Sequence, residues 1–196
     1  MRNHDSNRRE SDSISLFEKL TSADLDPARK IYEECRFIRC NFHDAKLDGL
    51  VFRNCVFENC DLSLARLRET SLQEVRFEMC KLLGVQFSEC RKLMLQVAFN
   101  ECMLRMAAFN GMDFRNTRFA GCDLKEADFT QADLAGACFE RCDLSRATFF
   151  RTNLEGADFR SASGYSISPE SNRLKKARFS MPGALGLLDS YGLEIE

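Results

Sequence analysis

Histidine is scarce: only 2 occur in 196 residues, against 10 cysteines. No CxxC is present, so the clustered ligands of a zinc site are missing. His4 lies in a polar start, and His43 sits at a position expected to point outward. Without a histidine to activate a thiol or hydroxyl, and without a glycine-rich phosphate loop ahead of a helical pattern, catalysis is not expected. No metal or cofactor is implied. Long apolar runs are also absent. None approaches the roughly 20 residues of a membrane helix. The start, MRNHDSNRRESDS, has no apolar core of a secretory signal, which points to the cytoplasm. Net charge is small, −2 overall. A strong general attraction to nucleic acid or to an anionic membrane is therefore excluded. Tryptophan is missing and there are only 3 prolines, but 17 phenylalanines.

Those phenylalanines are ordered. The stretch CDLKEADFTQADLAGACFERCDLSRATF, Cys122 to Phe149, divides every five residues. Taking the Leu or Phe of each unit as its centre, the frame runs from Phe37 every fifth residue to Phe87. It fails at Lys92 and resumes from Phe99 to Phe159. All 24 centres are Leu or Phe. The residue two before the centre is Cys, Ala, Thr or Val in 22 of them, with Leu50 and Met112 the exceptions. Two of five positions thus read as buried and three as wet. A helix would spread such a repeat around its surface, and a flat strand would alternate the centres between faces. A coil that turns a corner at each unit keeps every centre inside. Four units make a square turn of about 20 residues, stacked at the parallel-strand spacing of about 4.8 Å.

The cysteines follow the longer period. Cys40, Cys60 and Cys80 are 20 apart, as are Cys102, Cys122 and Cys142. The step from Phe87 to Phe99 carries two extra residues, which brings all six into one column. Stacked one turn apart, their Cβ atoms would be about 4.8 Å from one another, too far for the roughly 3.8 Å of a disulfide. Nine cysteines read as small fillers in a reducing compartment. Cys138, directly before a centre, is expected to be exposed.

Three departures interrupt the repeat. The frame break at residues 88–98 places Arg91, Lys92, Leu93, Met94 and Leu95 together as a candidate loop contact. Residues 162–196 turn away through Gly, Ser, Pro and Asn. They then offer Pro182 as the first residue of a helix. Met181, Leu185 and Leu188 would share one helical face, beside Ala184, Leu187 and Tyr191; Leu193 and Ile195 follow. One apolar face suffices to cap a solenoid. This wider apolar surface predicts an end-to-end homodimer. At the other end, residues 1–13 read as a disordered polar tail and 14–34 as a cap. The β-helix is expected over 35–161.

The units ADFTQ, ADLAG, TNLEG and ADFRS resemble those of the pentapeptide-repeat family. The resemblance implies an all-β fold, a right-handed quadrilateral parallel β-helix, here with a C-terminal capping and dimerisation helix. The ending SGYSISPESNRLKKARFSMPGALGLLDSYGLEIE resembles one branch of that family, the Qnr quinolone-resistance proteins and the albicidin- and microcin-type immunity proteins. That branch implies a dimeric rod about as wide as duplex DNA that engages type II topoisomerase. It implies DNA gyrase or topoisomerase IV as partner. The missing catalytic pattern and the balanced charge lead to the expectation of a protein that is not an enzyme and binds no nucleic acid directly. A DNA mimic should carry negative charge. The acids concentrate at Asp123, Glu126, Asp128, Asp133, Glu140 and Asp143, which become the candidate topoisomerase contact. The alternative is a generic interaction scaffold with a partner unrelated to DNA topology.

Overall fold

Leu or Phe at every fifth residue can all point inward only if the chain bends after each one, and it does. The computed structural model describes residues 15–26 and 28–194. Its chain winds as a four-sided parallel β-helix. The expected tail at 1–13 and Ile195 lie outside the described residues. Every centre from Phe37 to Phe159 is buried, and so are Leu50 and Met112. At the corners, the residue two after the centre takes a left-handed φ after every centre but Phe87 and Phe159, whether glycine (Gly136, +70°) or a larger residue (Arg141, +52°). Left-handed φ costs about 1–2 kcal/mol for a non-glycine residue. Here it is offset by a hydrogen bond to the next turn, as from Arg39 N–H to Glu58 O at 2.9 Å and from Arg141 N–H to Ser161 Oγ at 3.1 Å.

The first face is a continuous seven-stranded parallel sheet. Its strands are β1 (Ser15–Glu18), β3 (Cys35–Ile38), β5 (Val56–Glu58), β7 (Val75–Glu78), β8 (Val97–Asn100), β9 (Arg118–Ala120) and β10 (Cys138–Glu140). The register stacks a phenylalanine on a phenylalanine at every turn. Nine rings, from Phe17 to Phe179, form one column with centroids 4.6–5.4 Å apart. Among the described residues the fourth face has three strands, β2 (Ile31–Glu33), β4 (Val51–Arg53) and β6 (Ser71–Gln73). The other faces are held by isolated parallel bridges.

The coil is longer than 35–161. β1 pairs with β3 and Tyr32 stacks on Phe52 at 5.4 Å, so much of 14–34 is itself a turn of the helix. Arg29 lies over the Tyr32 ring at 4.5 Å near that open end, a cation–π contact. At the other end Phe179 stacks on Phe159.

The expected C-terminal α-helix is not formed. Two 3-10 segments, Gly183–Leu187 and Asp189–Tyr191, stand in its place. Glycine inside a helix costs about 1 kcal/mol relative to alanine. Here Gly183 and Gly186 are needed for another purpose. A Cβ on Gly183 would strike the Tyr165 hydroxyl, and one on Gly186 would strike the Tyr165 carbonyl. The tail is pressed onto the end of the coil rather than wound into a helix.

The cysteine column is buried throughout, and all ten cysteines are free. These residues do more than fill space. The thiols of Cys60, Cys80 and Cys102 each donate, at 3.3 Å, to the carbonyl of a phenylalanine on the preceding turn. The Thr70 and Thr152 hydroxyls donate likewise from equivalent positions, to the carbonyls of Leu47 at 2.8 Å and Phe129 at 2.9 Å. A small side chain with a donor therefore satisfies a carbonyl that alanine would leave to others. Burial pushes the Cys55 and Cys90 thiols up to about 12. Cys138 is half-buried rather than fully exposed. Its thiol is also raised, by burial first and then by Asp158 and Glu140. In the native protein a neutral-pH thiol reagent should label one cysteine of the ten, slowly, because the thiolate is the reactive form. Rapid labelling of two or more before unfolding would show that the column is open.

Candidate functional site

The six acids of the candidate contact are not on one side of the rod. Asp123 and Asp143 belong to the same face and are bridged in register. Asp128 and Asp133 precede the centres of the next two faces, and Glu140 follows Phe139 on the first face. The six thus form a belt around the coil.

Two local demands hold these carboxylates. The first is the corner. Asp128 Oδ1 accepts the backbone N–H of Thr130 at 2.8 Å, Asp133 that of Ala135 at 3.1 Å and Asp143 that of Ser145 at 3.0 Å. An acceptor two residues before an N–H closes an Asx-type turn. The second is pairing across turns. Asp123 meets Arg105 at 2.6 Å, Glu126 meets Arg146, Glu140 meets Arg118 at 2.6 Å, and Asp143 meets Lys125 at 2.9 Å. Asp133 accepts from Asn153 at 2.8 Å and lies 3.9 Å from Arg115. Among the described residues, Asp128 alone of the six has no ion pair. Arg118, then Arg141, hold the Glu140 carboxyl below its ordinary value. Burial opposes ionisation of Asp143, but Ser145 and Lys125 outweigh it and bring the group to about 2. The belt is largely matched by cations at its own surface.

The frame break ends the three-stranded sheet of the fourth face. A 3-10 turn, Phe87–Glu89, leads into it. Arg91 N–H then bonds the Thr70 carbonyl and Gln96 N–H that of Leu72, both at 2.9 Å, bracketing the extra residues. Arg91 lies 3.6 Å from Glu69, and Lys92 Nζ donates to the Gly111 carbonyl at 3.1 Å. Leu93 and Met94 stand out, 79% and 66% exposed. Leu95 does not join them: it turns inward and packs on the core. An open groove of about 630 Å³ lies beside the break, lined by Arg68, Ser88, Arg91 and Leu93 among others.

At the C-terminal end, Leu187 is the tail residue packed against the core. Ala184 and Leu188 are half-buried. Met181, Leu185, Tyr191 and Leu193 are exposed, Met181 to 89%. Tyr191 donates its hydroxyl hydrogen to Glu170 at 3.1 Å. The apolar residues of the tail thus split into one that closes the coil, two that are half-buried and four that leave an apolar surface at the end of the rod.

A family model described as a pentapeptide repeat region matches residues 30–92 and 85–159. The chain belongs to the pentapeptide-repeat family. Among solved structures it is similar to a trypsin-treated variant of QnrB1, a plasmid-mediated fluoroquinolone resistance protein. The identity is 20%, with 93% of this chain and 98% of that one covered, at a TM-score of 0.51. Full-length QnrB1 is 20% identical over 91% of this chain and 99% of that one, TM-score 0.46. HetL, involved in heterocyst differentiation regulation in the cyanobacterium Nostoc sp. strain PCC 7120, is 16% identical. The coverage there is 79% of this chain and 90% of that one, TM-score 0.42. At these identities the likeness is one of fold. No curated protein matches the chain. Among the described residues no helix is long and apolar enough to cross a membrane.

Proposed function

We propose that this protein is a non-enzymatic, dimeric binder of type II topoisomerase, DNA gyrase above all. It protects that enzyme from quinolones or gyrase-poisoning toxins, or modulates its response to them. The observation that carries the reading is the end-to-end likeness to QnrB1, a fluoroquinolone resistance protein, over 98% of that chain. The belt at Asp123, Glu126, Asp128, Asp133, Glu140 and Asp143 is the proposed contact, with Arg91, Lys92, Leu93 and Met94 as a second one. Dimerisation through the tail would bring two belts toward the middle of a longer rod, facing the basic DNA-binding surface of gyrase.

The pairing within the belt favours a second reading, a scaffold for a partner unrelated to DNA topology. A carboxylate already matched by an arginine offers less to a cationic partner. Gyrase supercoiling, titrated with this protein with and without a fluoroquinolone, separates the two. The expected result is inhibition or drug protection that weakens with salt. Asp123→Asn, Asp128→Asn and Asp133→Asn together should weaken binding about tenfold, from roughly 0.5 kcal/mol per exposed contact. Folding should change little, because asparagine also accepts the corner hydrogen bond. Absence of any effect on gyrase or topoisomerase IV would leave the scaffold.

A further inference from the structure

On the first face, the residue before each central phenylalanine from Phe37 to Phe139 alternates between arginine and a small side chain. The order is Arg36, Val56, Arg76, Ala98, Arg118, Cys138. Two of these arginines are satisfied in the same way. Arg36 faces Val56 on the next turn and reaches diagonally to Glu58, two residues further on. Arg118 faces Cys138 and reaches Glu140, again two further on, at 2.6 Å. For Arg76 the register puts Ala98 opposite and Asn100 in the place of the acid.

Asparagine cannot neutralise a guanidinium. Among the described residues, the single carboxylate within reach of Arg76 is Glu78, on its own turn and at the limit of 4.0 Å; the arginine side chain is 65% exposed. Three grooves meet at this residue. One, of about 390 Å³, passes Val56 between Arg36 and Arg76. A second, of about 500 Å³, passes Val97 and Ala98 between Arg76 and Arg118, with Arg115 at its edge and Glu74 as its acidic lining residue. The third, of about 180 Å³, passes Ala98 and Asn100 between the same two arginines, with Glu78 as its acidic lining residue.

We propose that the groove past Ala98 and Asn100, between Arg76 and Arg118, docks a carboxylate of an acidic protein segment, in the position that Asn100 leaves without charge. The two equivalent places along the face hold glutamate carboxylates, which shows the chemistry that fits. A guanidinium presents paired donors matched to a carboxylate. Glu74 and Glu78 nearby disfavour a doubly charged phosphate more than a singly charged carboxylate. The small residues between the arginines leave a lane one turn wide, about 4.8 Å on either side of its floor. This surface is independent of the topoisomerase reading and stands or falls separately.

The test is a ¹⁵N NMR titration of the full-length protein with N-acetylated hexaglutamate amide at low ionic strength. The amides of Val75–Glu78 and Val97–Asn100 and the Arg76 Nε–H should shift. Asn100→Glu, which restores the missing cross-turn pair, should weaken binding at least about tenfold, and Arg76→Gln should do so as well. Both substitutions are at the surface, and unchanged thermal midpoints would confirm intact folding. The proposal is overturned if the shifts fall elsewhere or are absent. It is equally overturned if Asn100→Glu binds the peptide as the unmodified protein does, or if inorganic phosphate competes at these amides with equal affinity.

Discussion

Phe129→Ala should lower stability by roughly 3–5 kcal/mol, the cost of emptying a fully buried phenylalanine site. Phe129 is 0% exposed. Its ring is stacked between Phe109 at 4.9 Å and Phe149 at 5.1 Å and edged by Phe119 and Phe139. The lesion therefore removes contacts within one turn and to both neighbouring turns. In a solenoid, stability is close to a sum of repeat and interface terms, so a mid-rod cavity is felt on both sides. Thr130→Ala, one residue away, should cost under about 0.5 kcal/mol. The bond at that position is from the Thr130 backbone to Asp128, and alanine keeps it. Denaturant midpoints of the two variants give the comparison; equal midpoints would contradict the inward column.

Leu185→Arg combined with Leu188→Arg should convert a dimer into a monomer and leave the β-rich circular dichroism spectrum intact. The end-to-end dimer is our proposal from the exposed tail. In a two-fold contact each introduced arginine is repeated on the partner, and unpaired buried charge is costly, of the order of 3–5 kcal/mol for a broken buried pair. Leu187, the tail residue that packs on the core, is left in place so that the coil stays closed. Sedimentation of the unmodified protein as a monomer at micromolar concentration would remove the proposal. A spectrum that collapses in the variant would instead make these leucines part of the cap.

The five-residue frame was legible because its buried positions are chemically narrow. Only Leu or Phe fills the centre, and mostly Cys, Ala, Thr or Val precedes it by two. The first turn escaped that reading because its intervening centre positions carry Ser22 and Pro27 instead of Leu or Phe. The longer period still marks it: Phe17 lies 20 before Phe37, Tyr32 lies 20 before Phe52, and Phe179 lies 20 after Phe159. The apolar spacing of the tail misled for a different reason. Met181, Leu185 and Leu188 match a helical face, but Gly183 and Gly186 serve the close approach to Tyr165. The cysteines were readable as fillers, while their hydrogen bonds to the preceding turn depend on a carbonyl more than 20 residues away.

By itself, the sequence determined the period, the inward residues and the stacking of one turn on the next, because burial selects residue type at each fifth position and the pattern survives in one dimension. What only the tertiary structure decided is the state of the charges. Asp123 finds Arg105, Glu140 finds Arg118, and Arg76 finds Asn100 where an acid would stand. These relations run diagonally between turns, where long side chains choose among several neighbours, and nothing in the five-residue repeat constrains that choice.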